Sequence, residues 1–250
     1  MIKGIEIFRD AFAGFSDSYI LIGGAACDIQ LEQAGVPFRV TRDFDMVLCV
    51  ESLTPEFGRA FWNFIRNGGY QVQERATGEK KFYRFRKPSA PDYPAMLELF
   101  SRQPQNFEIS HESVLTPIPM EEEVSSLSAI LLDNEYYSFI QSHRMLADSV
   151  SLLSSEALIV LKAKAWLDLS ERKSAGEQID SKDIKKHKND VFRLFASLPG
   201  DTTVELPPGI ENDVHQFLSK IQDEEIDLQA LRLRGSKDEI LSGLRRLFRM

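Results

Sequence analysis

The chain has 250 residues and a formal net charge of -8, and hydrophobic residues make up 43% of it. That hydrophobic content is enough for the packed core of a soluble globular protein with one large or two small domains. The acidic balance excludes a general electrostatic attraction for nucleic acid, so any RNA contact must be local.

The first half of the chain alternates helical and strand patterns. Apolar periodicity and turn residues predict helices near residues 6–15, 25–33 and 55–66, the last ended by Asn67, Gly68 and Gly69. The same signals predict strands near residues 19–22, 43–51, 70–74, 81–86 and 95–101. Residues 125–132 fit a helix or a strand equally well.

The second half is predicted to be mainly helical. Its helices are expected near residues 135–147, 155–173, 179–198, 210–222 and 235–248. This change of pattern predicts an α+β protein, with a mixed sheet and flanking helices in residues 1–134. Residues 135–250 are expected to form a helical domain that closes one side of a cleft.

Composition also bears on redox state and location. The two cysteines, Cys27 and Cys49, form no Cys-x-x-Cys pair and have no histidine cluster beside them, so we expect free, buried thiols. No run approaches the roughly twenty apolar residues of a membrane span. The first residues lack the apolar core of a signal peptide. We therefore expect a cytoplasmic protein without a membrane partner.

The most informative stretch contains two aspartates and a glycine pair. Asp43 and Asp45 are two residues apart at the start of a predicted strand, so their carboxylates point to the same face. Like charges held side by side repel unless a cation neutralises them, and Mg²⁺ prefers such oxygen ligands. Gly23 and Gly24, at a strand-to-helix turn, would let backbone N–H groups approach phosphates. Together they indicate nucleotide chemistry.

These residues carry a resemblance to a known superfamily. The segment GGAACDI, followed by Arg39-x-Thr41-x-Asp43-x-Asp45 in an apolar strand, resembles the nucleotidyltransferases built on the DNA polymerase β-type palm. It is most similar to the AbiEii-like branch, which includes toxins of bacterial toxin–antitoxin and abortive-infection systems. The resemblance implies a palm in residues 1–134 and Mg²⁺ or Mn²⁺ bound by the two aspartates and a third carboxylate. Glu98, within the apolar run Ala95–Phe100, matches that third position, where the family usually has Asp.

The resemblance also implies an activity. It is the transfer of NMP from an NTP to a hydroxyl of an acceptor, expected to be a tRNA-like RNA or a protein, with an antitoxin as a further partner. Gly23 and Gly24 would seat the triphosphate, and Glu98 would hold the metal on the attacking side or act as base. Arg39 and Thr41 match the family's nucleotide-binding motif. Whether an arginine of this loop braces the acidic pair or lies on the surface stays open.

A buried lysine is the second signal. Projection of residues 156–172 as a helix places Lys162 among apolar residues, whereas Lys164 lies beside Asp168 at i,i+4. Lys162 must therefore cross an apolar surface to reach a negative group, and we expect it to neutralise phosphate charge. The resemblance adds Lys182 and Asp183 as a further nucleotide-binding element.

Other readings stay open. On the helix after Asp183, His187 and Lys188 fall on the apolar side, where they could contact nucleotide or form salt bridges between helices. The basic and aromatic run at 80–87 fits an edge strand guarded by charges at least as well as nucleic-acid binding. For the whole protein, the alternatives are a palm that binds a nucleotide or partner without catalysis, and a metal-dependent glycosyltransferase with an Asp-x-Asp loop.

Overall fold

The structure is a computed structural model that describes residues 2–74, 80–101 and 133–250. These residues form a mixed sheet and α-helices, so the predicted α+β class is confirmed. The helices are α1 Ile5–Ala11, α2 Gly23–Gln33, α3 Pro55–Gly68, α4 Asn134–Ser142, α5 Ser155–Ser174, α6 Ser181–Ser197, α7 Pro208–Lys220 and α8 Lys237–Leu247. The strands are β1 Tyr19–Ile22, β2 Asp43–Leu48, β3 Gln71–Glu74, β4 Lys80–Arg86, β5 Met96–Ser101, β6 Arg144–Ala147 and β7 Val150–Leu153.

The seven strands have the order β3-β4-β5-β2-β1-β7-β6. The central strand β2 runs antiparallel to β1 and parallel to β5, and β1 runs parallel to β7. The register places Ile22, Asp45, Glu98 and Arg84 in one row across four strands. Directly paired residues share a face of a sheet, so the charged members of this row meet on one face.

Aromatic packing decides which face that is. Phe44 of β2 is fully buried, and its ring centroid lies 5.3 Å from that of Phe8 on α1. Phe8 in turn contacts Phe64 of α3 at 5.9 Å. Because successive side chains of a strand alternate, Asp43 and Asp45 point away from these rings. They face the side of the sheet on which Gly23, at the start of α2, lies close to Asp45, and α5 and α6 pack against α2.

Residues 144–153 differ from the prediction. The helix expected over 135–147 ends at Ser142, and a hairpin of β6 and β7 follows. Asp148 and Ser149 make its turn in left-handed conformations, with φ of 49° and 65°. Leu21 of β1 pairs with Leu152 of β7, so the sheet extends past the boundary expected at residue 134. Four-residue strands are too short to display a clear period of two.

Smaller differences concern boundaries. The strand expected over 43–51 ends at Leu48, and a 3-10 turn, Val50–Ser52, continues the chain. The first helix is shorter than expected, and residues 125–132 lie outside the described ranges. Cys27 and Cys49 are buried free thiols, as predicted. In the described part of the chain, we find no helix that is both long and apolar enough to span a membrane.

Candidate functional site

Gly23 of the glycine pair and Asp45 of the acidic pair lie close together. Gly23 begins α2 with φ of +69°, and a β-carbon at this position would overlap the Asp45 carboxylate at Oδ2. A side chain at position 23 would therefore be strained and would displace Asp45. The first N–H groups of α2 have no partner within the helix, so the carboxylate lies beside the positive end of a helix.

The loop before β2 covers the second glycine. A β-carbon at Gly24 would lie 2.6 Å from Thr41 Oγ1 and 3.5 Å from Arg39 Nη2. Thr41 is buried, while the Arg39 guanidinium also lies over the Phe38 ring, 4.9 Å from its centroid. The structure thus brings the predicted residues Gly23, Gly24, Arg39 and Thr41 together around the start of β2.

Asp45 sits in an unfavourable place for a free carboxylate. Burial, followed by the charge of Glu98, raises its pKa to about 7, and the charge of Asp43 adds to the rise. The charge of Lys162 acts in the opposite direction. Among ion pairs within the described ranges, none engages Asp43 or Asp45. This pair has oxygen ligands to offer and a repulsion that a cation would relieve.

Replacing Asp45 with asparagine should therefore stabilise the metal-free protein above pH 7. The folded pKa lies above the ordinary value of 3.8, so the native state binds more protons between these values, and wild-type stability falls as pH rises through this window. After a discount for partial exposure, we expect a gain of about 1–2 kcal/mol at pH 8 for Asp45→Asn in urea unfolding without metal.

The control is Asp43→Asn, which changes the exposed member of the pair and should alter stability by a few tenths of a kcal/mol, roughly the size typical of surface changes. A loss of stability in Asp45→Asn would mean that this carboxylate makes a structural hydrogen bond.

Glu98 lies beside Asp45 in the register but is held by another residue. Arg84 of β4 donates from Nε to Glu98 Oε1 at 2.6 Å, and its Nη2 contacts the same oxygen. Within the part of the chain that the structure describes, no group of three or more His, Cys, Asp or Glu side chains is arranged to hold a metal ion. Among the described residues, the three predicted carboxylates therefore do not form a group arranged to hold a metal ion, and Glu98 is paired to Arg84.

The contrast between the two lysines of α5 is confirmed. Lys162 is 5% exposed, and its Nζ lies 3.7 Å from Asp190 Oδ2. Lys164 is half-buried and pairs with Asp168 at 3.4 Å, as the i,i+4 spacing predicts, and with Asp213 at 3.2 Å. The charge of Lys162 lowers the pKa of Asp45, so Lys162 lies near this carboxylate.

Asp190 of α6 is the residue that sequence reasoning missed as a site residue. It is fully buried, and its carboxylate oxygens form ion pairs with three cationic side chains. The nitrogen-to-oxygen distances are 3.2 Å for Arg39, 3.7 Å for Lys162 and 3.7 Å for Arg193. One carboxylate thus faces three cations, of which Lys162 is buried and Arg39 is partly exposed, so their positive charge exceeds the charge of Asp190. The signal was available, because an aspartate at the edge of the apolar face of an amphipathic helix needs a partner.

Three polar atoms of this cation cluster, which consists of Arg39, Lys162, His187, Asp190 and Arg193, are buried without a hydrogen bond. They are Arg39 Nε, His187 Nδ1 and Asp190 Oδ1. Burial, with the charges of Lys162, Lys186 and Arg39, lowers the pKa of His187 to about 2, so the imidazole is neutral. Unpaired buried polar atoms are costly, and Arg39 Nε is a donor that an anionic ligand would satisfy, whereas Asp190 Oδ1 is an acceptor that an anion would not.

The Lys182–Asp183 element lies farther out. Both residues are exposed on the first turn of α6, where the Lys182 backbone N–H donates to Asp180 and Asp183 pairs with Lys186 at 2.8 Å. No hydrogen bond or ion pair between described residues joins Lys182 or Asp183 to the glycine pair. The charge of Lys186, one turn further along α6, lowers the pKa of Asp45.

Lys188 of α6 binds the segment that follows α7. It is buried, and its Nζ lies 2.6 Å from Glu224 Oε2 and 3.0 Å from the Glu225 carbonyl oxygen. The open alternative of a salt bridge between helical elements therefore applies to this residue. His187, the neighbouring residue of α6, differs from Lys188 because its buried Nδ1 has no hydrogen-bond partner.

Comparison of the chain with models of known protein families and with curated proteins finds no match. The function must therefore be argued from the geometry of the glycine pair, the acidic pair and the cation cluster.

Proposed function

We propose that this protein is a metal-dependent nucleotidyltransferase, which moves NMP from an NTP to an acceptor hydroxyl. The observation that carries the proposal is the close approach of Asp45 to Gly23 at the start of α2, together with the effect of Lys162, a member of the cation cluster, on the pKa of Asp45. A phosphate chain placed there would meet backbone N–H groups, cations and metal-binding carboxylates at once.

The cation cluster supports the phosphate end of the site. Lys162 and Arg39 share Asp190 with Arg193, so their positive charge exceeds what that carboxylate neutralises. Arg39 Nε is a buried donor without a partner. Phosphate oxygens would neutralise the excess positive charge and accept a hydrogen bond from Arg39 Nε. Such charge-assisted hydrogen bonds are stronger than those between neutral groups. In this proposal, Lys162 would neutralise the charge that develops on the departing pyrophosphate.

Asp43 and Asp45 fit a divalent cation by their chemistry. Both offer carboxylate oxygens, the ligands that Mg²⁺ and Mn²⁺ take, and the raised pKa of Asp45 reflects a charge that lacks compensation. When bound, the ion would lower the pKa of the acceptor hydroxyl and offset phosphate charge. Gly23 keeps the Asp45 carboxylate against the helix end, where it is oriented toward the phosphates.

A palm that binds nucleotide without catalysis is the second candidate. The Arg84–Glu98 pair favours it, because the third carboxylate is already neutralised. The glycosyltransferase alternative is disfavoured, since Asp43 begins β2 and both aspartates lie within a strand paired to β5. A toxin role with an antitoxin partner rests on the resemblance of the motifs alone.

Incubation with each labelled NTP, Mg²⁺ and a bacterial RNA and protein pool tests the proposal. Label should pass to an acceptor, and Asp45→Asn should abolish the transfer. Asp148→Asn is the matched control, because it makes the same change at the exposed turn of β6 and β7, where asparagine tolerates φ of 49°.

The other readings predict different results. If all four NTPs give no transfer yet still raise the melting temperature, the binding-only candidate is correct. If only a UDP-sugar raises it, the protein belongs with the glycosyltransferases.

A further inference from the structure

Arg84 and Glu98 form a cross-strand pair directly beside the acidic pair. Arg84 is the register partner of Glu98, which is in turn the register partner of Asp45. Two nitrogens of the guanidinium, Nε and Nη2, contact the same carboxylate oxygen. The side chains are 21% and 9% exposed, so the pair is largely withdrawn from water.

This row and Asp43 beside it contain three carboxylates and one guanidinium, that of Arg84. The guanidinium already supplies positive charge at Glu98, whereas Asp43 and Asp45 form no ion pair among the described residues. A second divalent cation at Glu98 would lie next to a guanidinium that stays protonated at every accessible pH.

We propose that Arg84 occupies the place of a second metal ion, so that the site takes one divalent cation through Asp43 and Asp45. This inference rests on the proposed function and narrows its metal chemistry. Glu98 is then a positioning residue that holds Arg84 in the row.

The alternative is that Glu98 releases Arg84 when metal arrives. Release would break the contacts of Arg84 Nε and Nη2 with Glu98 Oε1, and separating this largely buried pair is unfavourable because Glu98 would lose its guanidinium. The geometry therefore favours Arg84 staying on Glu98 while a single ion binds nearer to β1.

The strand offers a close control. Arg86 is two residues along β4 and points to the same face, but it is exposed and its Nε lies 3.4 Å from Met96 Sδ. Arg84→Met and Arg86→Met remove the same charge from the same strand, yet only the first frees a carboxylate of the row.

Mn²⁺ titration of the full chain at pH 8, without nucleotide, tests the inference by calorimetry and by the electron paramagnetic resonance signal of free Mn²⁺. We expect one Mn²⁺ per chain for wild type, Arg84→Lys and Arg86→Met, and two for Arg84→Met. The double variant Arg84→Met/Glu98→Gln should return to one, which also answers the objection that Arg84→Met is misfolded.

Three other outcomes of the Mn²⁺ titration would contradict the inference. Two Mn²⁺ on the wild type, or one on folded Arg84→Met, overturns the inference and leaves the proposed function standing. If the wild type binds no Mn²⁺ at all, the metal site itself is wrong and the proposed function falls with it.

Discussion

Lys162→Met should weaken NTP binding about ten- to a hundredfold, because one charge-assisted contact to phosphate contributes roughly 1.5–3 kcal/mol. Methionine keeps the length and apolar stem of this buried side chain. Asp190 retains Arg39 and Arg193, so the fold should survive the change. Calorimetric titration with a non-hydrolysable NTP measures the affinity, and thermal unfolding measures the fold.

Lys164→Met is the control for this experiment, on the same helix and with the same chemical change. It breaks the ion pairs to Asp168 and Asp213 and should cost about 1 kcal/mol of stability, while NTP affinity stays unchanged. Equal losses of affinity in the two variants would remove Lys162 from the phosphate site.

Asp190→Ala should destabilise the protein by about 3–5 kcal/mol, the size expected when one partner of a buried ion pair is removed. Three cations lose the fully buried carboxylate that they share. Urea unfolding measures this loss. Added pyrophosphate should restore more stability to the variant than to the wild type, because an anion that binds only the folded state stabilises it.

Asp168→Ala serves as the comparison, since it removes a partly exposed carboxylate from an ion pair and should cost about 1 kcal/mol. A loss below about 1 kcal/mol in Asp190→Ala would show that the three cations do not depend on this carboxylate. Failure of pyrophosphate to favour the variant would separate the cluster's role in folding from phosphate binding.

Local patterns predicted much of this site. The short apolar strand before Gly23 and the strand beginning at Asp43 were read correctly, because both combine a clear run of apolar residues with turn residues beside them. The position of Lys162 followed from helical periodicity alone. These features depend on residues close together in the chain.

The remaining features depend on how distant segments meet. Arg39 and Asp190 are 151 residues apart, so no spacing rule could pair them. The Arg84–Glu98 pair depends on β4 and β5 being neighbours in this register, which is a property of the whole sheet. The hairpin of β6 and β7 turns through Asp148 and Ser149 without glycine, so its turn gave no ordinary signal.

Phe44, between the two aspartates, ties the site to the core. Its buried ring packs against Phe8 of α1, which in turn contacts Phe64 of α3. A slip of β2 by one residue would move this ring to the opposite face of the sheet and both carboxylates into the aromatic core. Packing of Phe44 in the core therefore fixes the register of β2 relative to its neighbouring strands. A ligand bound by Asp43 and Asp45 should consequently dissociate in the same cooperative transition in which the aromatic core unfolds.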